Sequence, residues 1–346
     1  MKAAYPTALR RIELREAPQP AIRRDDDVLL DIDTVGVCGS DMHYYRAGRI
    51  GEQIVQYPWI VGHECAATVL AAGPAAAHLA PGRRVAVDPL VWCGRCDQCL
   101  AGNIHTCREQ VFLGCPGQLA GSLVERLVMP AACCFPIPEA MTMTRGALVE
   151  PLSIALWAAR LGAVPNGATV GILGAGPIGL CVLACVKHAA ACTVYQTDLL
   201  DNRLALAGRL GAGWTGNAAR GDVTGDILAA EPLGLDVAFE CVGKAETINQ
   251  CLRLVKPCGL VVIVGIPEED TVPFEMNEMR RKEIRVQNVR RQRHCVQPAI
   301  ELLAGGEIDL DALVTHEFAF DDVAAAFELV ADYRDGVVKA MVRIGE

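Results

Sequence analysis

The stretch from Ala168 to Ala191 constrains this chain more than any other. It reads as an apolar strand, Ala168-Thr-Val-Gly-Ile-Leu-Gly174, then the turn Gly174-Ala-Gly176-Pro177-Ile178-Gly179, then an apolar helix from Ile178 to Ala191. In such a strand–turn–helix the first glycine permits the tight turn and the second lets backbone approach a pyrophosphate. The third lets the helix pack on the strand. The helix start offers free N–H groups and a positive dipole end to phosphates. Asp198 closes the next strand, Thr193-Val-Tyr-Gln-Thr-Asp198, 19 residues after Gly179. An acid there accepts hydrogen bonds from ribose hydroxyls and repels a 2′-phosphate, which favours NAD over NADP. Arg203 follows, either stacked on the adenosine or as a solvated helix charge. A glycine-rich turn of an ordinary α/β domain is the alternative, and the acid in place weighs against it.

Strands and helices continue to alternate beyond this point. Arg203 to Leu210 reads as a helix, and Asp236-Val-Ala-Phe-Glu and Leu260-Val-Val-Ile-Val-Gly265 as strands apolar on both faces. That pattern calls for a parallel sheet covered on both sides, a doubly wound Rossmann domain over 153–290. Residues 1–152 instead read as short strands broken by Gly and Pro, such as Val28-Leu-Leu-Asp-Ile-Asp-Thr-Val and Arg84-Val-Ala-Val-Asp. Residues 291–346 carry helical runs and a last strand, Lys339-Ala-Met-Val-Arg-Ile, expected to return to the first domain. The fold class is therefore α/β, a β-rich domain beside a parallel-sheet domain.

Four cysteines, Cys93, Cys96, Cys99 and Cys107, fall within one short loop. Four thiolates close a zinc tetrahedron with no position left for water, so this set reads as a structural zinc site rather than a redox loop. A second set is scattered: Cys38 in Gly36-Val-Cys38-Gly-Ser40-Asp41, then His63-Glu64, then Glu150 before Pro151. By spacing alone a structural histidine and a buried thiol fit these residues more readily than a common metal does. The remaining cysteines of the 16 read as small buried hydrophobes in a reducing cytoplasm. A net charge of −9 offers no general attraction to nucleic acid, and no apolar run is long enough for a membrane span.

Over nearly its whole length the chain resembles the zinc-containing medium-chain dehydrogenases. The matching segments are Gly36-Val-Cys38-Gly-Ser40-Asp41, Gly62-His63-Glu64, the four-cysteine loop, Glu150-Pro151-Leu152-Ser153 and Gly174-Ala-Gly-Pro-Ile-Gly179. It is most similar to their polyol branch, the sorbitol, L-iditol and xylitol 2-dehydrogenases, through His43-Tyr44, Gly48-Arg-Ile-Gly51, Tyr57-Pro58 and Val314-Thr315-His316. The resemblance implies a GroES-like catalytic domain and two zinc ions per subunit. Cys38, His63 and Glu64 would hold the catalytic one, with Glu150 beside it or on it. It implies Tyr44 lining the polyol pocket and Arg291 serving Glu150 and substrate; Ser40, two residues after Cys38, is the candidate first proton relay, with His43 behind it. Val264, Gly265, Ile266, Val289, Arg290 and Arg291 fall where NAD is held. A homo-oligomer, most simply a tetramer, is implied as well. Two departures make the pocket more polar: Gln292 and Gln53 stand where the branch often has aromatic residues.

The expectation is therefore an NAD-dependent zinc polyol 2-dehydrogenase turning a polyol into its ketose. Two alternatives stay open: a zinc dehydrogenase of a diol, threonine or sugar acid, and a catalytically silent NAD-binding protein. The full set Cys38, Ser40, His63, Glu64 and Glu150 speaks against silence.

Overall fold

A computed structural model describes residues 1–345. The chain divides into two compact units. The first comprises Met1–Glu150, Val296–Gly306 and the described residues from Val314 onward; the second comprises Pro151–Cys295 and Glu307–Leu313.

The main sheet of the first unit runs Cys134–Pro136, Arg84–Val87, Glu64–Ala72, Asp27–Gly36, Lys339–Arg343, Val314–Ala319, with Arg126–Pro130 also paired to Asp27–Gly36. Asp27–Gly36 is nearly continuously buried, which suits a strand flanked by neighbours and covered by a core of Val28, Leu30, Ile32 and Val35. Three residues lie abreast across this sheet: Glu64 opposite Gly36, and Gly36 opposite Met341. That register brings the far end of the chain to the first metal-type residues.

The second unit is built on a six-stranded, wholly parallel sheet in the order Trp214–Asn217, Thr193–Asp198, Thr169–Leu173, Leu235–Glu240, Val255–Ile263, Arg285–Asn288. Its helices cover it by apolar faces. Ala245–Leu254, for example, buries Ile248, Cys251, Leu252 and Leu254, the spacing of one helical stripe. The strand order reverses between Thr169–Leu173 and Leu235–Glu240, and the carboxyl ends of strands at such a point are where α/β sheets bind ligands.

Two of the helices that the sequence reading did not mark carry site residues. Gly39–Ala47 is a helix whose N-cap amide, Cys38 N–H, is taken by the Asp41 carboxylate at 3.1 Å. Met143–Gly162 is a 20-residue helix that runs through Pro151. No helix among the described residues is long and apolar enough to cross a membrane. All 16 cysteines are free of disulfides; Cys181, Cys185 and Cys251 are fully buried, whereas Cys258 is exposed.

Candidate active site

In the first unit one ligand atom each from Cys38, His63 and Glu64 lies within 4.8 Å of the others. Cys38 caps the helix Gly39–Ala47, His63 precedes the strand that Glu64 begins, and the pairing of Gly36 with Glu64 closes the gap between them. Asp41, 1% exposed, holds the pieces together. Its carboxylate accepts from the Cys38 and Gly62 amides at 3.1 Å each and lies 3.5 Å from His63 Nδ1. A carboxylate on one ring nitrogen fixes the tautomer and turns the other outward as a donor atom for metal. Burial works against charge on His63, but Asp41 and then Cys38 outweigh it and raise its pKa well above the usual value. Ser40 Oγ sits 3.3 Å from Cys38 Sγ and 3.4 Å from His63 Nε2. His43 and Tyr44 follow on the same helix.

Glu150 is buried but lies outside the cluster of three. Burial lifts its pKa to about 8, His63 pulling against this and Glu64 adding to it. The sequence reading missed Lys339 altogether. This lysine is 2% exposed, and its ammonium is bonded to Glu64 Oε2 and, at 3.1 Å, to the Val37 carbonyl. Burial opposes its charge, and Glu64 followed by Cys38 more than restores it. Gly36 makes the pairing possible. A Cβ there would collide with Glu64 Oε2 and stand 3.0 Å from Lys339 Cε, so the bare glycine leaves the lane by which Lys339 crosses to Glu64. Thiolate, imidazole and carboxylate converging without a fourth protein donor among the described residues form a set that suits zinc with one open position.

The loop of Cys93, Cys96, Cys99 and Cys107 is a separate cluster. Sulfur–sulfur separations are 3.5 Å (Cys93–Cys107), 3.9 Å (Cys96–Cys107) and 4.0 Å (Cys93–Cys99). A zinc tetrahedron with sulfur ligands at about 2.3 Å has edges of about 3.8 Å. The spacing is therefore that of a metal cage and far longer than a disulfide. Amides of Arg108 and Cys99 lower Cys96 to about 6, while burial and the neighbouring thiols push Cys99 up to about 12. Four thiolates in one place need a cation between them.

In the second unit the sequence-derived cofactor residues gather at the carboxyl edge of the parallel sheet. Gly174 follows Thr169–Leu173 with φ of 101°, and its Cα hydrogen faces Cys241 and Val242 at the switch point. A Cβ at Gly179 would run into the Gly174 carbonyl, so the helix packs here only through a glycine. A Cβ at Gly176 would meet only Arg203 Nη1, at 3.6 Å, which leaves the backbone there open to an anion. Pro177 is the first residue of the helix and Ile178 the second. Asp198 is fixed by three amides, from Ala175 (2.7 Å), Leu199 (2.8 Å) and Leu200 (3.0 Å). Val264 and Gly265 donate to the Glu240 carbonyl, Ile266 is exposed, and Val289 donates to the Ile263 carbonyl. Arg290 is exposed, and Arg291 adopts a left-handed φ of 53°. Gln292 is buried, with Oε1 accepting from Cys295 N–H at 2.8 Å, so its carbonyl serves the entry to the helix Val296–Ala304. The cradle fits a dinucleotide.

Comparison with known proteins agrees with this chemistry. Residues 24–139 match the alcohol dehydrogenase GroES-like domain, and residues 177–305 match the zinc-binding dehydrogenase family. Sorbitol dehydrogenase of Bacillus subtilis is 35% identical over 343 residues, 99% of this chain and 97% of that protein. L-arabinitol 4-dehydrogenase of Hypocrea jecorina is 34% identical, covering 92% of this chain and 85% of that one. Among solved structures, a putative zinc-binding dehydrogenase of Sinorhizobium meliloti bound to NADP superposes with a TM-score of 0.88 at 31% identity, over 99% of both chains. The chain belongs to the zinc-dependent medium-chain dehydrogenases, the oxidoreductases of CH–OH donors that include the sorbitol and arabinitol dehydrogenases.

Proposed function

We propose that this enzyme is an NAD-dependent polyol 2-dehydrogenase with a catalytic zinc on Cys38, His63 and Glu64 and a structural zinc on Cys93, Cys96, Cys99 and Cys107. The observation that carries the reading is the convergence of Cys38, His63 and Glu64, with no fourth protein donor among the described residues, in a chain 35% identical to a sorbitol dehydrogenase. When bound, zinc supplies a Lewis acid that acidifies a substrate hydroxyl, and NAD supplies the hydride acceptor. The chain's own residues do the rest. Asp41 holds the His63 ring, Lys339 holds Glu64, and buried Glu150 adds a carboxyl beside them. Ser40, touching both Cys38 and His63, takes the hydroxyl proton outward, with His43 on the same helix next in line. Ser40→Ala is expected to keep both zincs but slow turnover most at lower pH, where the hydroxyl is harder to ionise. Full activity of that variant across the pH range removes Ser40 from the path.

The fixed carboxylate of Asp198 supports NAD rather than NADP, because a 2′-phosphate would meet a charge that three amides prevent from turning away. Asp198→Ala is expected to narrow the preference, mainly by admitting NADP. Comparable use of both cofactors by the unaltered enzyme contradicts the assignment. The cysteine content favours a reducing cytoplasm, and the family likeness a homo-tetramer; light scattering at the monomer mass would overturn the latter. The direct test of function is NADH formation from xylitol or sorbitol against ethanol, with the product identified.

A further inference from the structure

Three consecutive residues of the strand Thr193–Asp198 hold the glycine turn of the second unit. The Gly174 amide donates to the Thr197 carbonyl at 2.9 Å, and the Ala175 amide donates to Asp198 Oδ2 at 2.7 Å. Between these two bonds, the Gly174 carbonyl accepts from Gln196 Nε2 at 3.1 Å. Gln196 and Asp198 are two apart in the strand, so their side chains leave one face about 6.6 Å from each other. The carbonyl of Gly174 and the N–H of Ala175 belong to a single trans peptide, in which they point in opposite directions. The two side chains therefore grip that peptide at both ends and fix its plane.

Gln196 is 0% exposed, and its Oε1 has no hydrogen-bond partner among the described residues. A buried amide oxygen without a donor destabilises a fold, so packing alone gives no reason for a glutamine here. What the amide supplies is its bond to Gly174. Flipping it would set oxygen against oxygen, so one orientation serves. The held carbonyl also lies against Gly179, where a Cβ would run into it and stand 3.4 Å from Gln196 Nε2. Gln196 thus braces the turn where it meets the start of the helix Pro177–Ala189. The first-turn amides of a helix have no intrahelical acceptor and are the donors a pyrophosphate takes. We propose that Gln196 is a positioning residue for the dinucleotide. By fixing the Gly174–Ala175 peptide together with Asp198, it sets the direction in which the turn and the helix start present their N–H groups to the pyrophosphate. This rests on the NAD reading above.

The test measures NADH affinity by the change in nicotinamide fluorescence on binding, and the affinities of ADP-ribose and adenosine by competition with it. Gln196→Met and Gln196→Leu replace the amide by apolar side chains of similar bulk. In both, NADH and ADP-ribose are expected to bind about 10-fold more weakly, the effect of one lost hydrogen bond. Adenosine, which carries no phosphate, is expected to bind as before. The melting temperature of the cofactor-free protein should not change, because each variant exchanges one bare buried oxygen, Gln196 Oε1, for another, the Gly174 carbonyl. Unaltered NADH affinity in Gln196→Met overturns the proposal while the NAD reading stands. Equal weakening of adenosine and ADP-ribose, or a lowered melting temperature in both variants, marks a packing role and overturns it as well. Failure of the unaltered enzyme to bind NADH or ADP-ribose overturns both readings.

Discussion

His63→Ala enzyme is expected to carry one zinc per chain instead of two and to turn over at least roughly a thousandfold more slowly. That factor corresponds to the several kcal/mol of charge stabilisation that a Lewis acid provides. The two clusters differ in the property that decides lability. Cys93, Cys96, Cys99 and Cys107 stand at tetrahedral spacing and leave no ligand position for solvent. Cys38, His63 and Glu64 leave one position open and include a carboxylate, a weaker hold than a thiolate on zinc. Mild chelation of the unaltered enzyme should reproduce the variant: one zinc lost, activity gone, circular dichroism unchanged. Elemental analysis giving a single zinc per chain in fully active protein contradicts this division of roles.

Lys339→Met is expected to cost about 3–5 kcal/mol of stability when the Cys38 site is stripped of metal, the usual consequence of removing one partner of a buried ion pair. Methionine matches the bulk of the lysine stem but leaves the Glu64 carboxylate, 1% exposed, without its cation. The double variant Lys339→Met with Glu64→Gln should recover much of the loss, because no charge then remains to be compensated. Zinc should also restore the single variant in part, since Glu64 regains a positive partner. Urea unfolding of the three proteins, with and without zinc, measures each of these. A single variant as stable as the unaltered enzyme in the stripped state contradicts the role given to Lys339. Gly36→Ala should act like a weaker form of the same lesion, by wedging the pair apart.

What the sequence made legible follows the reach of its patterns. The glycine turn, the strand before it and Asp198 are local, and the structure puts them at one edge of the parallel sheet. The four-cysteine loop is local too. The Cys38 cluster is not: Cys38 meets Glu64 because Gly36 and Glu64 are opposite one another in a sheet, and no spacing in the chain announces that register. Only family resemblance joined those residues beforehand. Lys339 lay further out of reach, since its carboxylate partner is 275 residues away and the link depends on the last strand pairing with Asp27–Gly36. The helix Gly39–Ala47 was not legible because its order comes from the Cys38–Asp41 cap and from four buried residues, Asp41, Met42, Tyr44 and Tyr45, of which two are polar-tipped and one charged.

Product analysis with NAD and xylitol or sorbitol tests the central claim most directly. The expected result is a ketose oxidised at the second carbon, formed with stoichiometric NADH and with kcat/KM far above that for ethanol. An aldose from terminal oxidation, or faster turnover of a plain primary alcohol, would contradict it.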